Sequence, residues 1–171
     1  MDAAGLIKRF CRKGDHNAFN RFYRAQADRL WRFLCARGAH PEHAYDLLSE
    51  SFERFIKNIC KDPAAPVAFL YRIAVNLHID SHRREQARPA DSNTDEAEGY
   101  SDPAQPADER EWVRRLIKKL PPDEQNLLLM RYWIGLTHRE IAASTGLPEG
   151  TVRRQAAASL KKLRQNWPEN E

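Results

Sequence analysis

Arg153, Arg154 and Lys161 fall in the run GTVRRQAAASLKK with Gly150 and Ala157 spaced so that all five lie on or beside one side of a helix. Guanidinium groups set this way can bridge the O6 and N7 acceptors of a guanine edge or pair with phosphate oxygens. That is recognition chemistry, with no nucleophile or acid–base pair in it. It requires that the basic side stay outside, so Val152, Ala156, Leu160 and Leu163 must be the side that packs. A second helix is needed to receive them. Thr137 followed by Glu140 reads as a capping box that starts it, with the Thr hydroxyl accepting from the Glu140 N–H and the carboxylate reaching back. Gly146 suits a positive-φ corner, and Pro148 presets the backbone for the first turn of the next helix. Ile141, Ala142 and Val152 would meet where the two helices cross. A basic face on the second helix of such a pair is the arrangement that enters a DNA major groove. The plainer alternative is an antiparallel helix pair with solvated charges.

The other candidate chemistry is weaker. His78 and His82 stand at i and i+4 with Asp80 between them, which would allow a helical metalloenzyme, but no third ligand lies near in sequence. We therefore expect a surface histidine pair, no metal and no cofactor. Cys11, Cys35 and Cys60 are far apart with no CxxC, so neither a disulfide framework nor a thiolate site is expected, and all three read as small buried apolar residues.

The 171 residues carry a net charge of +4 that conceals a pattern. Residues 1–86 hold 15 Lys/Arg against 10 Asp/Glu, residues 87–109 hold 1 against 7, and residues 110–171 hold 12 against 7, giving +5, −6 and +5. Two basic blocks around an acidic tether suit two polyanion-binding modules better than one compact body. No apolar run approaches the ~18–20 residues that span a bilayer, and MDAAGLIKRFCRKGD lacks the apolar core of a signal peptide. The expectation is a cytoplasmic protein without membrane insertion.

Periodicity makes the chain all-α. Helices are expected over 5–13, over about 17–37 with Phe19, Phe22, Tyr23, Leu30, Phe33 and Leu34 inward, and from Pro41 to about 60. On the third, Tyr45, Leu48, Phe52, Phe55, Ile56 and Ile59 form one side and Asp46, Glu50 and Glu53 the other. KDPAAP at 61–66 is a loop, followed by a helix over about 67–86 that buries Leu70, Ile73, Ala74 and Leu77. Residues 87–109 form an acidic flexible linker with Tyr100 its only large hydrophobe. A helix over 108–120 follows, then one capped by Asp123 and completed by LLLMRYWI, then the helix pair already described. The tail WPENE should fray. This divides the chain into a helical domain at 1–86, the linker at 87–109 and a helix-turn-helix domain at 110–167.

Three motifs in this order resemble the extracytoplasmic-function (group 4) branch of the sigma-70 family of bacterial transcription initiation factors. AYDLLSESFERFIK is similar to that family's core-polymerase-binding helix, usually D-x-x-Q-E-x-F, with Ser49 in place of Gln. The resemblance implies that Asp46, Leu47, Glu50 and Phe52 dock on the β′ clamp. AFLYRIAVNLHIDSHRRE resembles the helix that handles the −10 element, with Phe69 where Trp is usual. It implies −10 roles for Asn76, Asp80, Arg83 and Arg84, and puts the 61–66 loop where the family captures a flipped base. LPPDEQNLLLMRYWIGLTHREIAASTGLPEGTVRR resembles the domain that reads the −35 element. On that match Thr151, Arg153, Arg154 and Ala157 face bases, while Arg139 and Lys161 hold phosphates. The implied partners are core RNA polymerase through its β′ clamp and β flap, promoter DNA and an anti-sigma factor. The implied function is promoter-specific transcription initiation without catalytic residues; an autonomous helix-turn-helix regulator is the alternative.

Overall fold

The computed structural model describes residues 1–87 and 115–167, which fall into two compact units. All regular structure among the described residues is helical.

The first unit contains α1 (Ala3–Lys13), α2 (His16–Ala36), α3 (Pro41–Asn58), a short 3₁₀ turn (Ile59–Lys61) and α4 (Pro66–Ala87). Each start has a local cause. Asp2 accepts from the Gly5 N–H, Asp15 accepts from the N–H groups of Asn17 and Ala18, and Pro41 occupies the first turn of α3. The Ala18 N–H, more than any other contact, pulls the Asp15 carboxyl below its ordinary range, with Arg9 beside it adding to the effect. Between α1 and α2 the chain reverses at Gly14, whose φ of 62° is left-handed.

Phe22, Leu30, Phe33, Leu34, Phe55, Leu70 and Tyr71 are completely buried between α2, α3 and α4. The rings of Phe22 and Phe55 stack at 5.2 Å, and Phe33 meets Tyr71 edge-on at 5.1 Å. Each such side chain contributes about 1.5–3 kcal/mol by leaving water, so this cluster holds the unit together. Phe69 touches Phe55 at 5.9 Å and so belongs to the same packing.

The cysteines correct the sequence expectation. Cys35 is buried, but Cys11 in the last turn of α1 and Cys60 in the 3₁₀ turn are joined by a disulfide. They are separated by 49 residues in the chain, and it is the packing of α1 against the 3₁₀ turn that brings their Cα atoms to 5.4 Å.

In the second unit residues 115–118 are helical. They are followed by α5 (Pro122–Leu128), which widens into π-type turns at Leu129–Ile134, then by α6 (His138–Thr145) and α7 (Glu149–Gln165). Most of the helix expected over 108–120, including Trp112 and Val113, lies outside the described residues, as do the linker from 88 onward and the end of the WPENE tail. Three local expectations are corrected. Asp123 does not cap α5; the chain enters through Pro121, and Asp123 and Glu124 sit in the first turn, where they complement the positive helix end. Pro148 is the residue just before α7, with extended backbone, rather than part of its first turn. LLLMRYWI does not complete an ordinary α-helix either: the Leu136 N–H reaches back to the Met130 carbonyl at 3.0 Å, and Gly135 ends the widened segment at a φ of 81°. Leu127, Leu128, Leu129, Met130, Ile141 and Val152 make the core of this unit.

Candidate nucleic-acid interface

The corner between α6 and α7 forms as its residues dictate. The Glu140 N–H donates to Thr137 Oγ1 at 3.1 Å, and Gly146 adopts a φ of 75° as its N–H closes on the Ala142 carbonyl. Ile141 and Val152 are fully buried at the crossing, with Ala156 one turn on. Ser159 continues this buried side, a position that spacing alone did not single out. The outward side of α7 carries Gly150, Arg153, Arg154, Ala157 and Lys161, all exposed, and Thr151 is half-buried at its edge. Arg139 projects from α6 and is also exposed.

These cations are not equally committed. Arg153 Nη2 donates to Glu149 Oε1 at 3.2 Å, and Arg154 Nη2 to Thr151 Oγ1 at 3.3 Å. Lys162 reaches Glu124 at 2.8 Å and so ties α7 to α5. Arg139 and Lys161 have no ion-pair partner among the described residues. Exposed pairs of this kind are worth about 0.2–1 kcal/mol, little enough for a phosphate to exchange them.

On α4 the structure leaves Asn76, Asp80, Arg83 and Arg84 exposed along the C-terminal half. His78 does not join them. It is half-buried, and its Nδ1 accepts from Nε of Arg37, the residue just past α2, at 3.1 Å, while His43 of α3 pairs with Ser81 at 2.7 Å. Burial, with Arg37, His43 and His82 adding to it, holds the His78 imidazole down at about 4, and burial lowers Arg37 to about 10. The expected surface pair of histidines is thus one exposed ring, His82, bonded to Gln86, and one half-buried ring. With its Nδ1 lone pair given to Arg37, His78 is poorly set up as a metal ligand.

α3 divides the residues assigned to polymerase docking. Leu47 and Phe52 are each only 4% exposed and pack inward. Asp46 and Glu50 are exposed. Glu50 pairs with Arg54 and Glu53 with Lys57 on the same helix, whereas Asp46 has no ion-pair partner among the described residues. Two residues expected on the packed side stand out of it: Tyr45 is 58% and Ile56 45% exposed. Tyr45 stacks on Trp31 of α2 at 5.2 Å, making an aromatic shoulder beside Asp46. Spacing gave no sign of it, because Trp31 and Tyr45 meet only once α2 and α3 are placed side by side.

Comparison with known proteins follows these two units. Residues 22–88 match the family described as Sigma-70 region 2, and residues 110–163 match Sigma-70, region 4. The ECF RNA polymerase sigma factor RpoE of Cereibacter sphaeroides is 29% identical over 178 residues, covering 96% of this chain and 94% of that protein. The ECF RNA polymerase sigma factor SigD of Mycobacterium tuberculosis is 34% identical over 104 residues, 57% of this chain and 49% of that protein. Among solved structures, CnrH in complex with the cytosolic domain of CnrY superposes with a TM-score of 0.70 at 19% identity, covering 95% of each chain. The sigma factor RpoE of Bartonella quintana, solved with the anti-sigma factor NepR, gives 0.68 at 14% identity over 86% of this chain and 94% of that one. At such identities the solved structures speak for the fold.

Proposed function

Since this chain belongs to the extracytoplasmic-function branch of the sigma-70 family, we propose that it directs bacterial RNA polymerase to promoters through a division of labour between its units. The first unit holds core polymerase on the open side of α3, where Asp46 and Glu50 face the β′ clamp. Asn76, Asp80, Arg83 and Arg84 of α4 line the path of the melted −10 strand. An exposed amide can pair with an unstacked base edge while arginines hold its phosphates. The second unit lays α7 in the major groove of the −35 element. There Arg153 and Arg154, with Thr151 and Ala157, meet base edges, and Arg139 and Lys161 grip the backbone. The domains are 1–86 and 110–167, with 87–109 as the tether. The β flap is the polymerase partner of the second unit, and an anti-sigma factor is its regulator.

One observation carries this reading: the region 2 match precedes the region 4 match in a single chain, and the second ends on a helix whose basic side is open. A self-sufficient helix-turn-helix regulator would explain the second unit and leave the first without a purpose. Neither unit should hold a promoter tightly alone, because affinity comes from joining both through polymerase. The test is run-off transcription with purified core enzyme. We expect promoter-dependent transcripts and co-elution with core; duplex binding without polymerase and no transcript would favour the regulator instead.

A further inference from the structure

We propose that Cys11 and Cys60 are a reversible thiol–disulfide couple that governs the −10 loop, an inference that rests on the functional reading above. Cys60 is exposed and Cys11 half-buried, so the pair lies at the surface of the unit, where a small thiol or disulfide can approach, whereas Cys35 is buried and lies outside the pair. The bond is not what holds α1 in place. Leu6 and Ile7 are buried under that helix, Phe10 packs on Phe19 at 5.1 Å, and Arg9 pairs with Asp15. What the bond adds is a tie from α1 to the 3₁₀ turn.

That turn contains Lys61 and leads directly into residues 62–65, the rest of the expected loop up to Pro66. Ile59 is buried, so the turn has its own anchor, and Pro66 begins α4 on the far side. With the disulfide closed, the stretch between is pinned at its entry to α1 as well as at its exit to α4. With it open, Lys61, Asp62 and Ala64, all exposed, can rearrange around a flipped base. The compartment in which bacterial polymerase works keeps thiols reduced, and disulfides that form there are transient and responsive rather than structural. The reaction balances with oxidised glutathione: one thiolate attacks it to give a mixed disulfide and releases one glutathione. The second thiolate then displaces the other glutathione, so the protein loses two electrons and two protons and two reduced glutathiones leave.

The experiment uses the full chain equilibrated in mixtures of reduced and oxidised glutathione, with alkylation and peptide mass mapping of Cys11 and Cys60. Each sample is then assayed with core polymerase for core affinity, for permanganate reactivity of unpaired −10 thymines and for run-off transcript. We expect oxidation to leave core affinity unchanged and to lower promoter opening several-fold. Cys60→Ser and Cys11→Ser should behave like reduced wild type in both buffers. If wild type and Cys60→Ser respond alike, or if the pair remains dithiol in oxidised glutathione, the couple is overturned while the sigma-factor reading stands. If reduced wild type directs no transcription at all, that reading fails and takes this proposal with it.

Discussion

Arg37 Nε donates to His78 Nδ1 at 3.1 Å, joining the end of α2 to the middle of α4 across 41 residues of chain. The bond needs a neutral imidazole with its lone pair at Nδ1, and the same geometry makes a second positive charge there costly. Protonating His78 would set an imidazolium against a guanidinium in a half-buried site.

That relationship predicts an acid-labile first unit. The His78 value of about 4 lies below the ordinary 6.5, so the unfolded chain binds more protons between these limits and stability rises with pH across them. Stability is complete above about 6.5 and is lost as pH falls toward 4, with a loss of about 2 kcal/mol by pH 5. Urea titrations at pH 7 and pH 5, followed by signals from the first unit, should show this slope, and His78→Gln should flatten it. An equal slope in both proteins would place the acid sensitivity elsewhere.

Base reading and backbone holding on α7 should separate by substitution. Arg154→Ala should cost about 1–3 kcal/mol at promoters carrying the preferred −35 sequence and little at others. Lys161→Ala should weaken all promoters by a similar factor. Initiation measured on a panel of −35 variants distinguishes the two, and identical profiles would argue against a division of roles.

Reversing one charge on α3 should affect polymerase alone. Asp46 is exposed and has no ion-pair partner among the described residues, so Asp46→Arg disturbs no internal contact. Core binding measured by co-elution or fluorescence anisotropy should fall. Circular dichroism and the melting profile should not change. Unaltered core affinity would move the docking surface off this face.

The corner itself tolerates little. Ile141 is fully buried where α6 meets α7, and Ile141→Ala should cost about 2–5 kcal/mol, enough to loosen so small a unit. Hydrogen exchange should lose protection across 138–165 while the first unit keeps its own.

Oxidised protein should be more stable than reduced protein by an amount set by the chain it closes. For the 49-residue separation of Cys11 and Cys60, the entropic contribution is about 4 kcal/mol. Cys11→Ser should lose it in oxidising buffer and match wild type under reductant, as read by denaturant midpoints.

Much of this architecture could be read beforehand, because it is written in local periodicities and caps. The Thr137–Glu140 cap, the Gly146 corner and the split of α7 into a Val152/Ala156 side and an Arg153/Arg154 side all depend on neighbours within two turns. Tyr45 and Ile56 were misplaced for the opposite reason. The apolar residues of α3 cover more of its circumference than α2 and α4 can bury, and only tertiary packing decides that Leu47 goes in and Tyr45 stays out. Cys11 with Cys60, and Arg37 with His78, meet across long stretches of chain, so spacing carried no sign of them. The widened turns at Leu129–Ile134 escaped because those residues suit an ordinary helix equally well.

The carboxylates that pair with Arg153 and Lys162 have a consequence for ionic strength. A phosphate that captures either cation sets Glu149 or Glu124 loose, and the freed acid gathers sodium or potassium of its own. Part of the counterion release that drives binding to a polyanion is thereby returned. Duplex affinity should fade less steeply with added salt than a tally of basic side chains on α7 would suggest, leaving the helix steadier in its grip as cellular osmolarity swings.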